Sequence, residues 1–175
     1  PGIGVYMIEQ AGYRVLTINM MTRLFMDPLD DPFQCMEDII QRYRLGMDCD
    51  AIFVDLHGEA TSEKMSFAHH FDGRVTAVIG THTHIPTADA HVLPKGCAYM
   101  SDAGMSGDYD SIIGVRKETA IDRFRKKVPG GHHIPASENK MLCGAIIVID
   151  DRTGKATAIE PIRVGDVLKE AMPKL

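Results

Sequence analysis

Cysteine is scarce: Cys35, Cys49, Cys97 and Cys143 are the four in 175 residues, widely spaced and without a C-x-x-C pair. That spacing argues against a disulfide framework and against a structural zinc site, and leads to the expectation of a reduced, cytoplasmic protein. No apolar run approaches the length needed to span a bilayer. No basic start followed by a short apolar core marks a signal peptide. The chain opens on Pro1-Gly2-Ile3-Gly4, which reads as the middle of a loop, so either processing or an unrepresented start is expected. A basic excess is also missing. The 19 Lys and Arg are outnumbered by 24 Asp and Glu, for a net charge of -5. General attraction to nucleic-acid backbones or anionic membranes is therefore not expected. A single phosphate held by metal needs no basic surface.

Several catalytic signatures are absent too. There is no H-E-x-x-H, which excludes a zincin protease, and no G-K-[ST] ending to make a P-loop. His57-Gly58-Glu59 matches the H-x-E of zinc nucleobase deaminases, but the P-C-x-x-C that completes their zinc site does not occur. Internal repeats and low-complexity segments are missing. One domain over residues 1–175 is expected, and a chain of this length buries about 70% of its unfolded surface.

What is present reads as an α/β protein. Val5–Ile8 and Tyr13–Asn19 flank a turn and predict an opening hairpin. Asp27–Pro32 is a loop. Phe33–Leu45 predicts an amphipathic helix ended by Gly46, followed by a buried strand over Asp50–His57. Thr61 or Ser62 is expected to cap a helix from Glu63 to Phe71, whose amino terminus would favour an anion such as phosphate. Val75–Ile79 predicts a second buried strand. His91–Leu93 and Ala98–Ser101 predict a hairpin across Pro94-Lys95-Gly96. The glycine-rich 102–110 loop reads as a surface turn, with backbone N–H groups available to a phosphate only if it faces the histidines. Lys117–Lys127 predicts a short basic helix with Ala120, Ile121 and Phe124 on its apolar side. Met141–Asp150 and Thr157–Val164 predict a closing hairpin, and Gly165–Leu175 a short helix or disorder.

The chemistry concentrates in Gly80-Thr81-His82-Thr83-His84, just past the strand ending at Ile79. Residues two apart in an extended segment point to one side, so His82 and His84 can present two imidazoles to one point. His57 ends the other buried strand, and ligands collect at that edge of open α/β sheets. His57, His82 and His84 are thus candidate metal ligands, for one zinc ion or for part of a two-metal phosphoesterase centre. Asp55, Glu59 and Glu63 read equally as ligands, as outer partners, or as capping and solvated carboxylates. His69, His70, His91, His132 and His133 lie outside these motifs.

The segments 55–64 (Asp-Leu-His-Gly-Glu-Ala-Thr-Ser-Glu-Lys), Asp72-Gly73-Arg74, 80–89 (Gly-Thr-His-Thr-His-Ile-Pro-Thr-Ala-Asp), Leu93-Pro94-Lys95-Gly96 and 102–107 (Asp-Ala-Gly-Met-Ser-Gly), with Pro28–Phe33, resemble the YmdB-like branch of the calcineurin-like metallophosphoesterases. The resemblance runs over nearly the whole chain. It implies a four-layer α-β-β-α sandwich of mixed sheets, lacking here its amino-terminal strands and helices, so that residues 1–175 form the carboxyl-terminal two thirds of such a domain. It also implies hydrolysis of phosphodiesters, notably 2',3'-cyclic nucleotides, by a metal-bound hydroxide at two divalent ions, iron or manganese with zinc as the other option. By motif, His57 and His82 would ligate one ion and His84 the other.

The family's G-D-V-V-G, G-E-N and G-N-H segments, which supply an aspartate, a bridging glutamate, an asparagine and the general-acid histidine, are not found here. They are expected in a preceding segment, without which the fragment is expected to be inactive. Unpaired sheet edges lead to the expectation of a homo-oligomer or a complementing amino-terminal chain. The alternative function is a non-catalytic phosphate- or nucleotide-binding regulatory protein of the same fold.

Overall fold

The computed structural model describes residues 2–126 and 132–173. Strand β1 (Val5–Gln10) pairs antiparallel with β2 (Tyr13–Met21) from Val5↔Ile18 to Gln10↔Tyr13. Ala11 and Gly12 between them both have positive φ, the geometry that two-residue hairpins favour because it matches strand twist. β2 then lies parallel to β3 (Ala51–His57), β3 parallel to β4 (Ala77–Thr81), and β4 parallel to β6 (Ala98–Met100). β5 (His91–Val92) closes the far edge antiparallel to β6. The order is β1-β2-β3-β4-β6-β5. Four parallel strands therefore end at one edge, where Thr22, Gly58, His82 and Ser101 follow them.

Alternation along the strands divides the core. Ile52, Val54 and Leu56 of β3 face helices α1 (Pro32–Arg42) and α2 (Thr61–Phe71), packing with Met36, Ile40, Phe67 and Phe71. Burying each such side chain contributes roughly 1.5–3 kcal/mol. Phe53, Ala77 and Ile79 face the other way, onto Ala145 and Ile147 of β8 (Lys140–Ile149) and Ala156 and Ile159 of β9 (Ala156–Val164). β8 and β9 form an antiparallel sheet with the short β7 (Gly107–Asp108). Helix α3 (Lys117–Lys126) follows β7 in the chain. The molecule is a mixed α/β structure with two sheets and, among the described residues, three helices, two of which cover one face of the larger sheet.

The predicted elements form with informative shifts. The first helix ends at Arg42, three residues early, because Tyr43 turns to an extended conformation and residues 43–50 fold into a tight loop bridged at Leu45 and Cys49. Thr61 and Ser62 are helical residues and do not cap α2. Its N-cap is Ala60, with no side-chain bond. β4 runs to Thr81, past the predicted end at Ile79, because Gly80 and Thr81 pair with Leu56 and His57 of β3; a Cβ on Gly80 would lie 1.8 Å from the Ser101 carbonyl just past β6. α3 forms, but its expected apolar side stays largely open, with Ala120 buried and Phe124 77% exposed. Lys127 lies outside the described residues. Residues 165–173 contain no helix, and Ala171 makes an isolated bridge to Arg163.

Candidate metal centre

His57 ends β3, and His82 directly follows β4, so the parallel register that pairs His57 with Thr81 brings the two rings together. His57 Nε2 and His82 Nδ1 lie 3.1 Å apart, with ring planes crossing at 89°. The other ring nitrogens reveal which atoms carry protons. Thr81 Oγ1 donates to Asp55 Oδ1 at 2.8 Å, and Asp55 Oδ2 accepts from Asn19 Nδ2 at 2.9 Å. Having spent its single proton, Thr81 Oγ1 must accept from His57 Nδ1, 3.1 Å away. In the neutral ring Nε2 is then a bare lone pair. His82 Nε2 lies 3.2 Å from Glu59 Oε2, and a proton on that nitrogen, facing the carboxylate, leaves Nδ1 as the second lone pair.

Two lone pairs facing each other at 3.1 Å repel unless a cation or a proton relieves them. Imidazole nitrogens bound to one ion at about 2.0–2.1 Å stand roughly 3 Å apart, so the pair fits two ligands of one metal ion. His84 is two residues further on. Its Nδ1 donates to the Ile113 carbonyl at 3.0 Å, which leaves Nε2 free. Hydrogen bonds from the non-ligating nitrogen to a carbonyl or carboxylate are the usual support of metal-binding histidines. The structure brings His57 and His82 into contact and puts His84 on the same loop. Among the described residues, no three His, Cys, Asp or Glu side chains by themselves form an ion-holding group.

The loop carrying these rings is strained. His82 and His84 have φ of +124° and +67°, conformations that cost non-glycine residues on the order of 1–3 kcal/mol each and persist only where surroundings enforce them. The enforcing contacts come from residues 102–109. Asp102 Oδ2 accepts the Thr83 N–H at 2.7 Å, the Ala103 N–H reaches the Gly80 carbonyl, and both Met105 N–H and Tyr109 Oη donate to the His84 carbonyl. Tyr109 is held well above the ordinary phenol range by burial, which keeps its proton in place as that donor. The 102–110 segment is therefore the scaffold of the histidine loop and not a surface turn. Gly104 has positive φ and packs against Pro86, leaving no space for a Cβ.

Asp55, Glu59 and Glu63 separate by role. Asp55 acts on His57 through Thr81, and Glu59 faces His82. Glu63 accepts the N–H groups of Arg23 and Leu24, both at 2.9 Å, pinning the loop after β2 against α2. Asn19, Thr81, Ile113 and Asp102 escape the sequence reading because only strand register and loop packing bring them to the rings. Position beyond the carboxyl end of a strand neighbouring β4 is the one signal that could have singled out Asp102.

Fold and site together define an α/β protein whose candidate metal centre is built from imidazoles at the carboxyl edge of a parallel sheet. The chain belongs to the YmdB-like protein family, whose model matches residues 1–162. It is 43% identical over 166 residues to the 2',3'-cyclic-nucleotide 2'-phosphodiesterase of Bacillus subtilis (strain 168), covering 95% of this chain and 62% of that protein. Among solved structures, a hypothetical protein from Thermus thermophilus matches with a TM-score of 0.87 at 41% identity, covering 95% of this chain and 63% of that one. A phosphatase from Mycoplasma pneumoniae matches with a TM-score of 0.83 at 34% identity, over 99% of this chain and 59% of the other. The chain thus spans about six tenths of the length of these relatives.

Proposed function

We propose that this chain carries the histidine half of a metal-dependent phosphodiesterase acting on small nucleotides such as 2',3'-cyclic nucleotides. The observation that carries the reading is the pair of ring nitrogens His57 Nε2 and His82 Nδ1, held 3.1 Å apart with Thr81 and Glu59 beside the opposite nitrogens of the two rings. His84 Nε2 is the third donor. Neutral nitrogen donors suit iron or zinc better than magnesium or calcium, while manganese, which takes oxygen ligands readily, would draw on carboxylates beside the imidazoles. When bound, two divalent ions would stabilise the attacking and leaving oxygens of an in-line displacement at phosphorus. The chain's own residues orient the donors: Asn19, Asp55 and Thr81 fix the His57 ring, Glu59 faces that of His82, and the Ile113 carbonyl holds that of His84. The substrate class is supported by the activity in the Bacillus relative's name. Similarity to the Mycoplasma phosphatase supports phosphoester hydrolysis in general. Four free cysteines suit a reducing, cytoplasmic setting. No helix among the described residues is long and apolar enough to cross a membrane.

The test is turnover of bis-p-nitrophenyl phosphate and 2',3'-cyclic AMP by the complete gene product loaded with Mn2+ or Fe2+. Hydrolysis that disappears in His82→Ala is the expected result. No turnover by the loaded, folded parent would contradict the phosphodiesterase reading.

A further inference from the structure

Lys64 is the fourth residue of α2 and is 1% exposed. An ammonium group in the interior is costly unless an opposite charge stands close. That charge is Asp102, also 1% exposed, with Oδ2 3.8 Å from Lys64 Nζ. The separation exceeds hydrogen-bond range, so Lys64 balances the carboxylate without occupying its lone pairs. Those lone pairs serve the backbone instead. Oδ2 accepts the Thr83 N–H at 2.7 Å, and Oδ1 accepts the Gly104 N–H at 2.9 Å. Thr83 stands between His82 and His84, so one anchored amide is flanked by two non-glycine residues of positive φ. The lysine stem completes the arrangement. A Cβ on Gly80 would meet Lys64 Cδ at 3.1 Å as well as the Ser101 carbonyl, so stem, β4 end and β6 end pack without spare room.

We propose that Lys64 and Asp102 are a buried positioning pair for the histidine loop. Lys64 balances the carboxylate, the carboxylate grips the Thr83 amide, and that grip fixes the backbone from which His82 and His84 project. The effect on ion affinity rests on the metal-centre reading, whereas the loop geometry is set without any ion.

The test compares the full chain with Lys64→Met/Asp102→Asn, which removes both charges together so that neither is left uncompensated. The double variant is expected to melt close to the parent. Loss of the charge-assisted bond should speed exchange of the Thr83 amide about tenfold or more relative to that of Ile79 in β4. Zn2+ affinity, titrated with the metal alone, should fall roughly tenfold to a hundredfold. A folded double variant with unchanged Thr83 exchange would reduce the pair to interior packing and overturn the proposal. Should the variant not fold, the parent still decides: its Thr83 amide must exchange far more slowly than that of Phe25, a residue 82% exposed, and comparable rates overturn the proposal. A parent that binds no Zn2+ would contradict the metal-centre reading, while the exchange rates would still judge the positioning pair.

Discussion

At His57 two neighbours decide what the ring can do. Thr81 has one proton, Asp55 takes it, and the hydroxyl oxygen is left to accept from Nδ1. Nε2 is turned outward as a donor atom by chemistry two bonds removed from it. Thr81→Val keeps the shape but removes that link. Ion affinity should drop roughly tenfold to a hundredfold, while the folded state loses only about 1 kcal/mol. Competition titration against a chelator, with urea unfolding in parallel, measures both, and unchanged affinity would show that the link is dispensable. The three imidazoles stand out in the sequence as candidates because a histidine carries its chemistry wherever it stands. Thr81 and Asn19 were not, since threonine and asparagine acquire a role only through the partner that strand register gives them.

Among the elements, α1 and α2 are joined by a charged clamp. Glu37 of α1 accepts two bonds from Arg74, at 2.8 and 2.9 Å, and stands 2.9 Å from His70 Nε2 in the last turn of α2. Arg74, with His70 second, holds the Glu37 carboxyl down at about 2, against an ordinary 4.5. A depressed carboxyl contributes stability above its ordinary value and loses it as the pH falls toward the folded one. Glu37→Gln should therefore be less stable than the parent at neutral pH, with the gap closing between pH 4.5 and about 2. Urea midpoints across that range measure it, and a gap independent of pH would assign the loss to packing. The existence of the helices and the longer strands was legible, because apolar periodicity depends on neighbours in the chain, whereas the short β7 was not, lying in a glycine-rich segment without periodicity. Boundaries were less legible. β4 extends through Gly80 because β3 runs on beside it to His57, and residues 43–50 leave the helix to bridge Leu45 with Cys49. Both are contacts made across the fold. Phe124 on α3 sits at helical spacing yet stays exposed, since spacing alone does not supply a surface to pack against.

For the molecule as a whole, parallel pairing of β2, β3, β4 and β6 brings the ends of four separate stretches of sequence to one edge, where the candidate site lies. The edge was foreseeable from two histidines following two buried strands. The scaffold of residues 102–109 was not, because glycine-rich composition signals a turn without saying what the turn supports. The central claim is that His57 and His82 share an ion through Nε2 and Nδ1. Crystals of the Mn2+-loaded protein, recorded at the manganese absorption edge, test it directly. The account predicts an anomalous peak within bonding distance of both atoms. A loaded crystal with no peak there, or with manganese bound only at other side chains, would contradict it.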